Sequence, residues 1–582
     1  MTEYFEIHDR DSAARLGELR LKTPIDTPGL VDEVIRDAGS KWTPDDQEPA
    51  GDDSTLTVLP HRAFPGGTPD EVQEAFAVDQ SDWTFPTAAV VSSETARPQG
   101  TDAYVLSNAQ QIVGHAREFV DGIIEVRESI PADTALYLPG VATPGNVGTL
   151  AYAGVDLFDT DRAVIKGTQG KYLTTDGELF LEDLEELPCA CPACQQPRGE
   201  FDREDCAEHN EHALRAALRT VRERVRAGRL RDYIEGQARH DQWLTATFRR
   251  FDQQYSYLEQ RTPVLRRGEI TATTDDTLRR VEIQRYAERV TNRYRSRFEK
   301  PLVLVPCSAR KPYSESQSHG QFHDAIQFRG HLVSMTSPIG VVPQELELTY
   351  PAQHYDSAVT GEWTPTEVEF VASVLTAYLE RNEYPRYIAH VPGDYREICE
   401  RAAQQAGIEF EYTVESHPTT TASLSNLAST LADESKYLKR ERQHNTIRAI
   451  ADYQFGNGAG EELFEELSVE SRYPKLRAKN AQGEQVAMLV PQYGLLALTI
   501  AGGRQWLESD APTKRVEIDD FVPHGSVLAP GVVDADDEIR VGDEVVIEGP
   551  RAFAVGRAQM NGPEMVDSTR GIASSVRHVE ET

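Results

Sequence analysis

Between residues 301 and 414, short apolar runs alternate with amphipathic ones in a pattern that suits a layered α/β sheet. Pro301–Pro306 (PLVLVP) is wholly apolar and ends in turn-forming residues, as a strand buried on both faces requires. A strand is expected near Leu332–Val342, a helix over Glu367–Arg381 and a strand over Arg386–Val391. A helix over Tyr395–Ala406 and a strand over Ile408–Val414 complete the series. Strands alternating with helices fold as a mostly parallel sheet with helices on its faces. With 582 residues there is room for several further domains, and 39% hydrophobic residues suffice to give each a core.

Upstream, Leu136–Gly167 reads as strand, Gly/Pro turn, helix and strand, a βαβ unit. Residues 33–56 and 92–102 are polar and read as surface loops. From Ala213 to about Glu299 the pattern is helical and arginine-rich, with one break near Thr262–Thr274. Ser416–Asn426, full of Ser and Thr, reads as a linker. Residues 430–508 read as a small α+β unit. Residues 512–582 read as short strands between glycines, with one helical turn near Asp567–Ile572. The expected domains are therefore 1–290, 291–425, 430–508 and 512–582. The chain as a whole is an α/β multidomain protein.

Sixty basic residues face 95 acidic ones, a net charge of −35, and arginine (49) far outnumbers lysine (11). Such a surface stays hydrated in concentrated salt, so a halophilic setting is expected. At ~1 M salt the screening length is only ~3 Å, so a local basic patch can still meet nucleic acid. The longest apolar stretch, Ala487–Gly503, is broken by Pro491, Gln492 and Tyr493, too short for a membrane span. The N-terminus lacks a basic segment leading into an apolar one, so a soluble, cytoplasmic protein with no membrane partner is expected.

Six cysteines do not make a disulfide framework in a chain this long. Four of them crowd one segment. Cys189, Cys191 and Cys194 come from one loop, and His209 heads the following helical stretch. Three thiolates and one imidazole suit a closed tetrahedral, structural zinc site. Cys206 and His212 compete with His209 for the fourth position.

Cys307 is the first residue past the Pro301–Pro306 strand, at the sheet edge where open α/β folds gather ligands. Arg310, Lys311, Tyr313, Ser314, Ser316, Ser318 and His319 follow with almost no apolar filler. Cations beside a thiol favour the nucleophilic thiolate, and a histidine shuttles protons near neutral pH.

Two resemblances attach to these residues. FEIHDRDSAARLGEL (Phe5–Leu19), Leu136–Gly167 and the Cys189/Cys191/Cys194/His209 set resemble archaeal tRNA-guanine transglycosylases. That likeness implies an N-terminal TIM-type barrel carrying the zinc site. The family's nucleophilic Asp-Ser-Gly-Gly-Phe-Gln-like motif has no counterpart; the nearest text, Asp102–Val113, lacks its glycines. The barrel is then a degenerate one, expected to bind tRNA or serve as scaffold.

The pattern Pro306-Cys307-x₃-Lys311-Pro312-Tyr313-x₂-Ser316-x₂-His319 resembles the signature of archaeosine synthases, paralogues of those transglycosylases. Val341–Trp363 and His390–Glu400 also look like that family's central domain. Residues 430–508 resemble the domain preceding PUA in archaeal transglycosylases. Val527–Val566, with its Gly542-Asp543-Glu544-Val545 turn, resembles the PUA RNA-binding β-barrel.

The family resemblance implies tRNA carrying 7-cyano-7-deazaguanine at position 15 of the D-arm as substrate. An amine from free lysine or glutamine joins the nitrile carbon towards archaeosine, and a radical-SAM partner protein completes the group in one branch. Chemistry adds that a thiolate suits reversible addition to a nitrile. The expected catalytic residues are thus Cys307 as nucleophile, His319 as acid, Lys311 as electrostatic support and Asp394. Tyr313, Ser314, Ser316, Glu345, Glu347, His354 and Asp356 are expected to bind substrate, with Tyr355 a similar candidate. The oligomeric state is left open, a homodimer included. Two other readings compete: a tRNA-guanine transglycosylase and a non-catalytic tRNA-binding subunit.

Overall fold

The computed structural model describes residues 3–37, 51–61, 68–69, 71–72 and 83–582. They form two compact units. The first comprises Met1–Pro263 with the short segments Val527–Val532 and Met560–Ala573; the second comprises Val264–Ser526, Val533–Gln559 and Ser574–Thr582. Among the described residues no helix is long and apolar enough to cross a membrane.

The first unit is built on a parallel sheet of seven strands. Their order is Gly29–Leu30, Leu157–Phe158, Ala135–Tyr137, Ala103–Leu106, Thr87–Val91, Leu56–Val58 and Ile35–Asp37. The two edge strands are consecutive in the chain. Laid flat, seven strands at ~4.8 Å spacing would put those edges ~29 Å apart. The chain from Leu30 to Ile35 reaches at most ~18 Å. The sheet therefore curls towards closure. The Val31 amide donates to the Phe158 carbonyl on one side (2.9 Å), and the Leu56 amide to the Val34 carbonyl on the other (2.8 Å). Leu56, Val58, Ala103, Val105, Ala135, Tyr137 and Leu157 share one core inside the curl.

A TIM barrel has eight strands, each followed by a helix; here seven are described, and 92–102 joins Thr87–Val91 to Ala103–Leu106 without one. The first polar stretch is only partly loop, since Ile35–Asp37 and Leu56–Val58 are strands; its residues 38–50 lie outside the described set. The expected βαβ unit is present: Leu157 pairs in parallel with Tyr137, across the helix Val147–Tyr152. Asp102 accepts the amides of Glu3, Tyr4 and Thr87, which makes it a clamp on the N-terminal segment. The C-terminal helix is Gly562–Asp567, just ahead of the turn expected near 567–572.

The second unit holds the α/β sheet. Its strand order is Gly340–Pro343, His331–Thr336, Leu302–Pro306, Tyr387–Ala389 and Glu411–Tyr412. Leu302–Pro306 lies in the middle, parallel to both neighbours. The single strand expected near 332–342 is a pair of antiparallel strands turning at 337–339. The helix Pro365–Arg381 opens with a capping box between Thr364 and Glu367 and has Pro365 in its first turn, all strong start signals.

Of the linker expected at 416–426, residues 416–420 are turn and the rest opens the helix Thr421–Thr430. Thr420 caps it by accepting the Ser423 amide. Leu427 and Leu431 bury completely against Val303, Val305 and Phe322.

Residues 439–508 supply the helix Lys439–Phe455, a four-stranded antiparallel sheet and the helix Ile500–Glu508. Beyond them Arg515–Ile518, Glu544–Gly549, Ala552–Ala558 and Ile572–Glu581 are neighbours in the last sheet. Gly542, at φ +93°, makes the turn into Glu544–Gly549, a conformation that favours glycine. One continuous core runs through the second unit, from Ile270, Tyr286 and Leu304 to Trp506 and Val555.

Candidate active site at the central strand end, and a cysteine–histidine cluster

The order of the second unit's sheet decides where chemistry can sit. From Leu302–Pro306 the chain crosses first to one side, to His331–Thr336, and later to the other, to Tyr387–Ala389. Between such diverging connections a crevice opens at the carboxyl end of the middle strand. Cys307 is the first residue past that end. It is half-buried, and its amide is tied to the Met335 carbonyl at 3.1 Å.

Three elements converge on its sulfur. From the loop after Tyr387–Ala389 comes Tyr395, whose Oη lies 3.6 Å from Cys307 Sγ. Burial first, then the adjacent Cys307, raise the Tyr395 pKa above the usual phenol range, so the hydroxyl holds its proton. Trp363 packs edge-on against the same ring at 4.8 Å. From the Cys307 loop itself comes Lys311, with Nζ 3.9 Å above the Tyr355 ring and 3.9 Å from the Asp356 carboxylate. Burial lowers its pKa, against opposing pulls from Asp356 and Cys307. Beside the end of His331–Thr336, Thr336 Oγ1 is 2.7 Å from Tyr355 Oη, which is 2.5 Å from Tyr313 Oη.

Several of the other sequence-derived candidates, His319, Ser316, Glu345 and Glu347, are engaged in contacts within the fold. His319 is buried, with Nδ1 3.1 Å from Ser316 Oγ and Nε2 3.0 Å from Ser334 Oγ, and its ring stacks on Tyr313. Burial, with a smaller push from His323, brings its pKa down to about 3. Its ring is thus held neutral between two hydroxyls and not as the imidazolium of a general acid near pH 7, so the geometry does not favour the acid role expected of His319.

Ser316 caps the helix Gln317–Ile326 by accepting the His319 amide. Glu345 is buried, 2.8 Å from His331 Nε2, and accepts from Tyr294 Oη (3.1 Å). Glu347 accepts the Ser314 amide at 2.8 Å and the Tyr473 hydroxyl, so it positions the Cys307 loop instead of facing solvent. The His354 ring tilts against Tyr350, and its carbonyl accepts the Ile270 amide at 2.8 Å. Asp356 and Asp394 are exposed, Asp394 immediately before Tyr395. Tyr395 is absent from the sequence-based candidates. It lies six residues past Ala389, beyond the turn at Pro392, and only the pairing of its strand with Leu302–Pro306 brings it to Cys307.

The first unit carries the cysteine–histidine cluster. One ligand atom each from Cys189, Cys191, Cys194 and His209 lies within 4.8 Å of the others. His209 presents Nδ1 to Cys191 and Cys194, 3.5 Å from each sulfur, and places Nε2 2.9 Å from the Leu173 carbonyl. That arrangement fixes the tautomer in which Nδ1 is the free ligand nitrogen. Tyr172 stacks on the ring at 3.7 Å, with its hydroxyl 3.3 Å from Cys194 Sγ. Cys206 and His212 stand outside the group; His212 lies 3.5 Å from Glu208. The donor set, with the Leu173 carbonyl and the Tyr172 ring holding His209, fits a closed tetrahedral metal site.

Four family models match along the chain. Residues 84–242 match the family model of queuine tRNA-ribosyltransferase. Residues 283–431, which hold Cys307, match a domain of unknown function (DUF5591). Residues 445–512 match the patch-forming domain C2 of tRNA-guanine transglycosylase, and 514–579 match the PUA domain. The class is thus that of multidomain chains related to the transglycosylases that act on tRNA.

The archaeosine synthase of Haloferax volcanii is 63% identical over 584 residues, covering 100% of both chains. Archaeosine synthase subunit alpha of Methanosarcina acetivorans is 42% identical, also over 100% of each. The tRNA-guanine(15) transglycosylase of Methanothermobacter thermautotrophicus is 29% identical over 79% of this chain and 68% of its own. The chain belongs to the archaeosine synthase family.

Proposed function

We propose that this protein is a tRNA-modifying enzyme of archaeosine biosynthesis, and that it adds an amine to the nitrile of 7-cyano-7-deazaguanine at position 15 of tRNA. One observation carries the reading: a half-buried thiol at the sheet's switch point, with a protonated phenol 3.6 Å away and a lysine in the same loop, in a chain of this family.

In the proposed chemistry Cys307 Sγ, as thiolate, adds to the nitrile carbon, and the nitrogen takes the Tyr395 hydroxyl proton. This gives a covalent thioimidate and a tyrosinate. A neutral amine then attacks the same carbon, its proton returns to Tyr395, and the carbon–sulfur bond breaks. The product is an amidine and Cys307 is regenerated. The Lys311 ammonium stabilises the thiolate and tyrosinate in turn. Asp356 and Asp394, exposed at this end of the sheet, attract the ammonium of an amino-acid donor, lysine or glutamine. Tyr313, Tyr355 and Thr336 hold the wall against which Lys311 lies, and Glu347 holds Ser314 in place. The PUA domain would grip the tRNA. Relatives named subunit alpha point to a partner subunit acting alongside. In the first unit, Cys189, Cys191, Cys194 and His209 would hold a structural zinc that ties the loop to the helix Arg203–Arg226.

The test is to incubate the protein with nitrile-bearing tRNA and either lysine or glutamine and to weigh the digested nucleosides. An amidine adduct with one donor, lost in Cys307→Ala, is expected. Undiminished adduct formation by Cys307→Ala would refute the covalent route. Exchange of labelled guanine into tRNA without adduct would refute the amidination reading.

A further inference from the structure

Two guanidiniums are buried side by side in the first unit. Arg15 and Arg127 are 6% and 7% exposed, and both donate to the carbonyls of Ala132 and Thr134. A single carboxylate, Asp156, stands with them. It is engaged by two nitrogens of Arg15 and accepts the Leu136 amide at 2.8 Å, so its oxygens are already in use. A third guanidinium, Arg261, lies 4.0 Å from the centre of the Tyr257 ring and donates to the Tyr257 carbonyl. Among the described residues neither Arg127 nor Arg261 has a carboxylate within ion-pair distance. Burial, and then the neighbouring Arg15, push the Arg127 pKa down to about 9.

A buried charge without an opposite charge is costly, and an anion in adjoining space would offset that cost. Here there is room for it. Arg15, Arg127 and Arg261 line a cavity of about 320 Å³, together with Arg10, Ser12 and Asn561. Of the carboxylates on its wall, Glu564 is paired with Arg10 at 3.1 Å, while Glu128 and Asp567 are exposed. Guanidinium forks match the oxygens of phosphate in geometry as well as charge.

We infer that this cavity is an oxyanion site of the phosphate class, built by Arg15, Arg127 and Arg261 and separate from the Cys307 site. The phosphate could be a backbone phosphate of bound RNA or a free one. The first source rests on the tRNA reading; the second does not.

The experiment uses the full chain, with Arg127→Met and Arg261→Gln as variants. Thermal unfolding is followed as inorganic phosphate replaces chloride at constant ionic strength. Binding of a tRNA transcript is then measured across a salt series. A saturable rise in the wild-type midpoint, lost in both variants, is expected. Should the site take RNA, Arg261→Gln also lowers tRNA affinity by roughly tenfold and its log–log salt slope by about one. Unchanged tRNA binding with the phosphate response lost assigns the site to free phosphate. No saturable response, or an equal response in the variants, overturns the inference. Arg261 is half-buried and, among the described residues, makes no ion pair, so its variant keeps the test decisive should Arg127→Met fail to fold. A phosphate response in a protein that makes no amidine would leave this site standing and sink only the proposed function.

Discussion

Tyr395 Oη stands 3.6 Å from Cys307 Sγ across two parallel strand ends, one at Pro306 and the other at Ala389. Neither residue depends on the other for its place: Cys307 is fixed by the Met335 carbonyl and Tyr395 by the turn at Pro392. Removing the phenol oxygen should therefore change chemistry more than structure. In Tyr395→Phe the rate of thioimidate or amidine formation should fall by ~10²–10⁴, the range of a lost general acid. Stability should fall by no more than about 1 kcal/mol. Single-turnover kinetics on nitrile-bearing tRNA, with a denaturation curve beside it, would read both. A variant that keeps its rate would remove Tyr395 from the mechanism.

His319 should show itself in stability instead. Its folded pKa is depressed to about 3, so below pH ~6.5 the unfolded chain binds a proton that the native imidazole refuses. The stability it contributes is full above pH ~6.5 and drains away as pH falls towards 3. His323, brought down to about 4 by burial and Arg442, adds to the same loss. The unfolding midpoint should drop steadily between pH 7.5 and 5. His319→Gln should flatten that slope, and the pH–rate profile of amidine formation should carry no limb that this variant removes.

The buried Glu345–His331 pair predicts a different acid response. Burial raises the Glu345 pKa, but His331 lowers it further, and the net shift is downwards. Its contribution is therefore present above the ordinary carboxylate range and lost below it. Glu345→Gln should cost about 3–5 kcal/mol at neutral pH, since it strands a buried partner. Urea unfolding at pH 7 would measure this. A variant as stable as the parent would reopen a substrate-binding role for Glu345.

For the metal site, elemental analysis should find about one zinc per chain, and Cys191→Ser or His209→Ala should lose it. Cys206→Ser should keep it, because that thiol lies outside the cluster. A strong chelator should lower the unfolding midpoint of the parent and leave a Cys191→Ser protein unmoved.

These residues were not equally legible in the sequence. Cys307 could be read because a wholly apolar run marks its own strand end, and the zinc ligands because three thiols share one loop. Tyr395 could not, because its neighbour is chosen by sheet order: Leu304 pairs with Ala389, more than eighty residues on. His319 and Glu345 were legible only as titratable types; burial between Ser316 and Ser334, or against His331, is a tertiary fact. The curl of the first sheet was likewise hidden. Its evidence is that two neighbouring short strands, Gly29–Leu30 and Ile35–Asp37, occupy opposite edges.

The stretch read as a linker yields the last prediction. Its Ser and Thr content suggests a coil, yet Thr420 is a helix cap and Leu424, Leu427 and Leu431 recur at helical spacing. Leu427 and Leu431 are fully buried against the face of the central sheet opposite its main core, beside Val303, Val305, Phe322 and Ile388. Those two valines belong to the strand that ends at Cys307. Were residues 416–426 a linker, Leu427→Ala would cost little. As part of the core it should cost about 2–5 kcal/mol, and the loosened strand should slow alkylation or catalysis at Cys307 as well. Urea denaturation would measure the first effect and thiol labelling in the native state the second. A loss under ~0.5 kcal/mol, the level of an exposed site, would return the segment to the role of a tether.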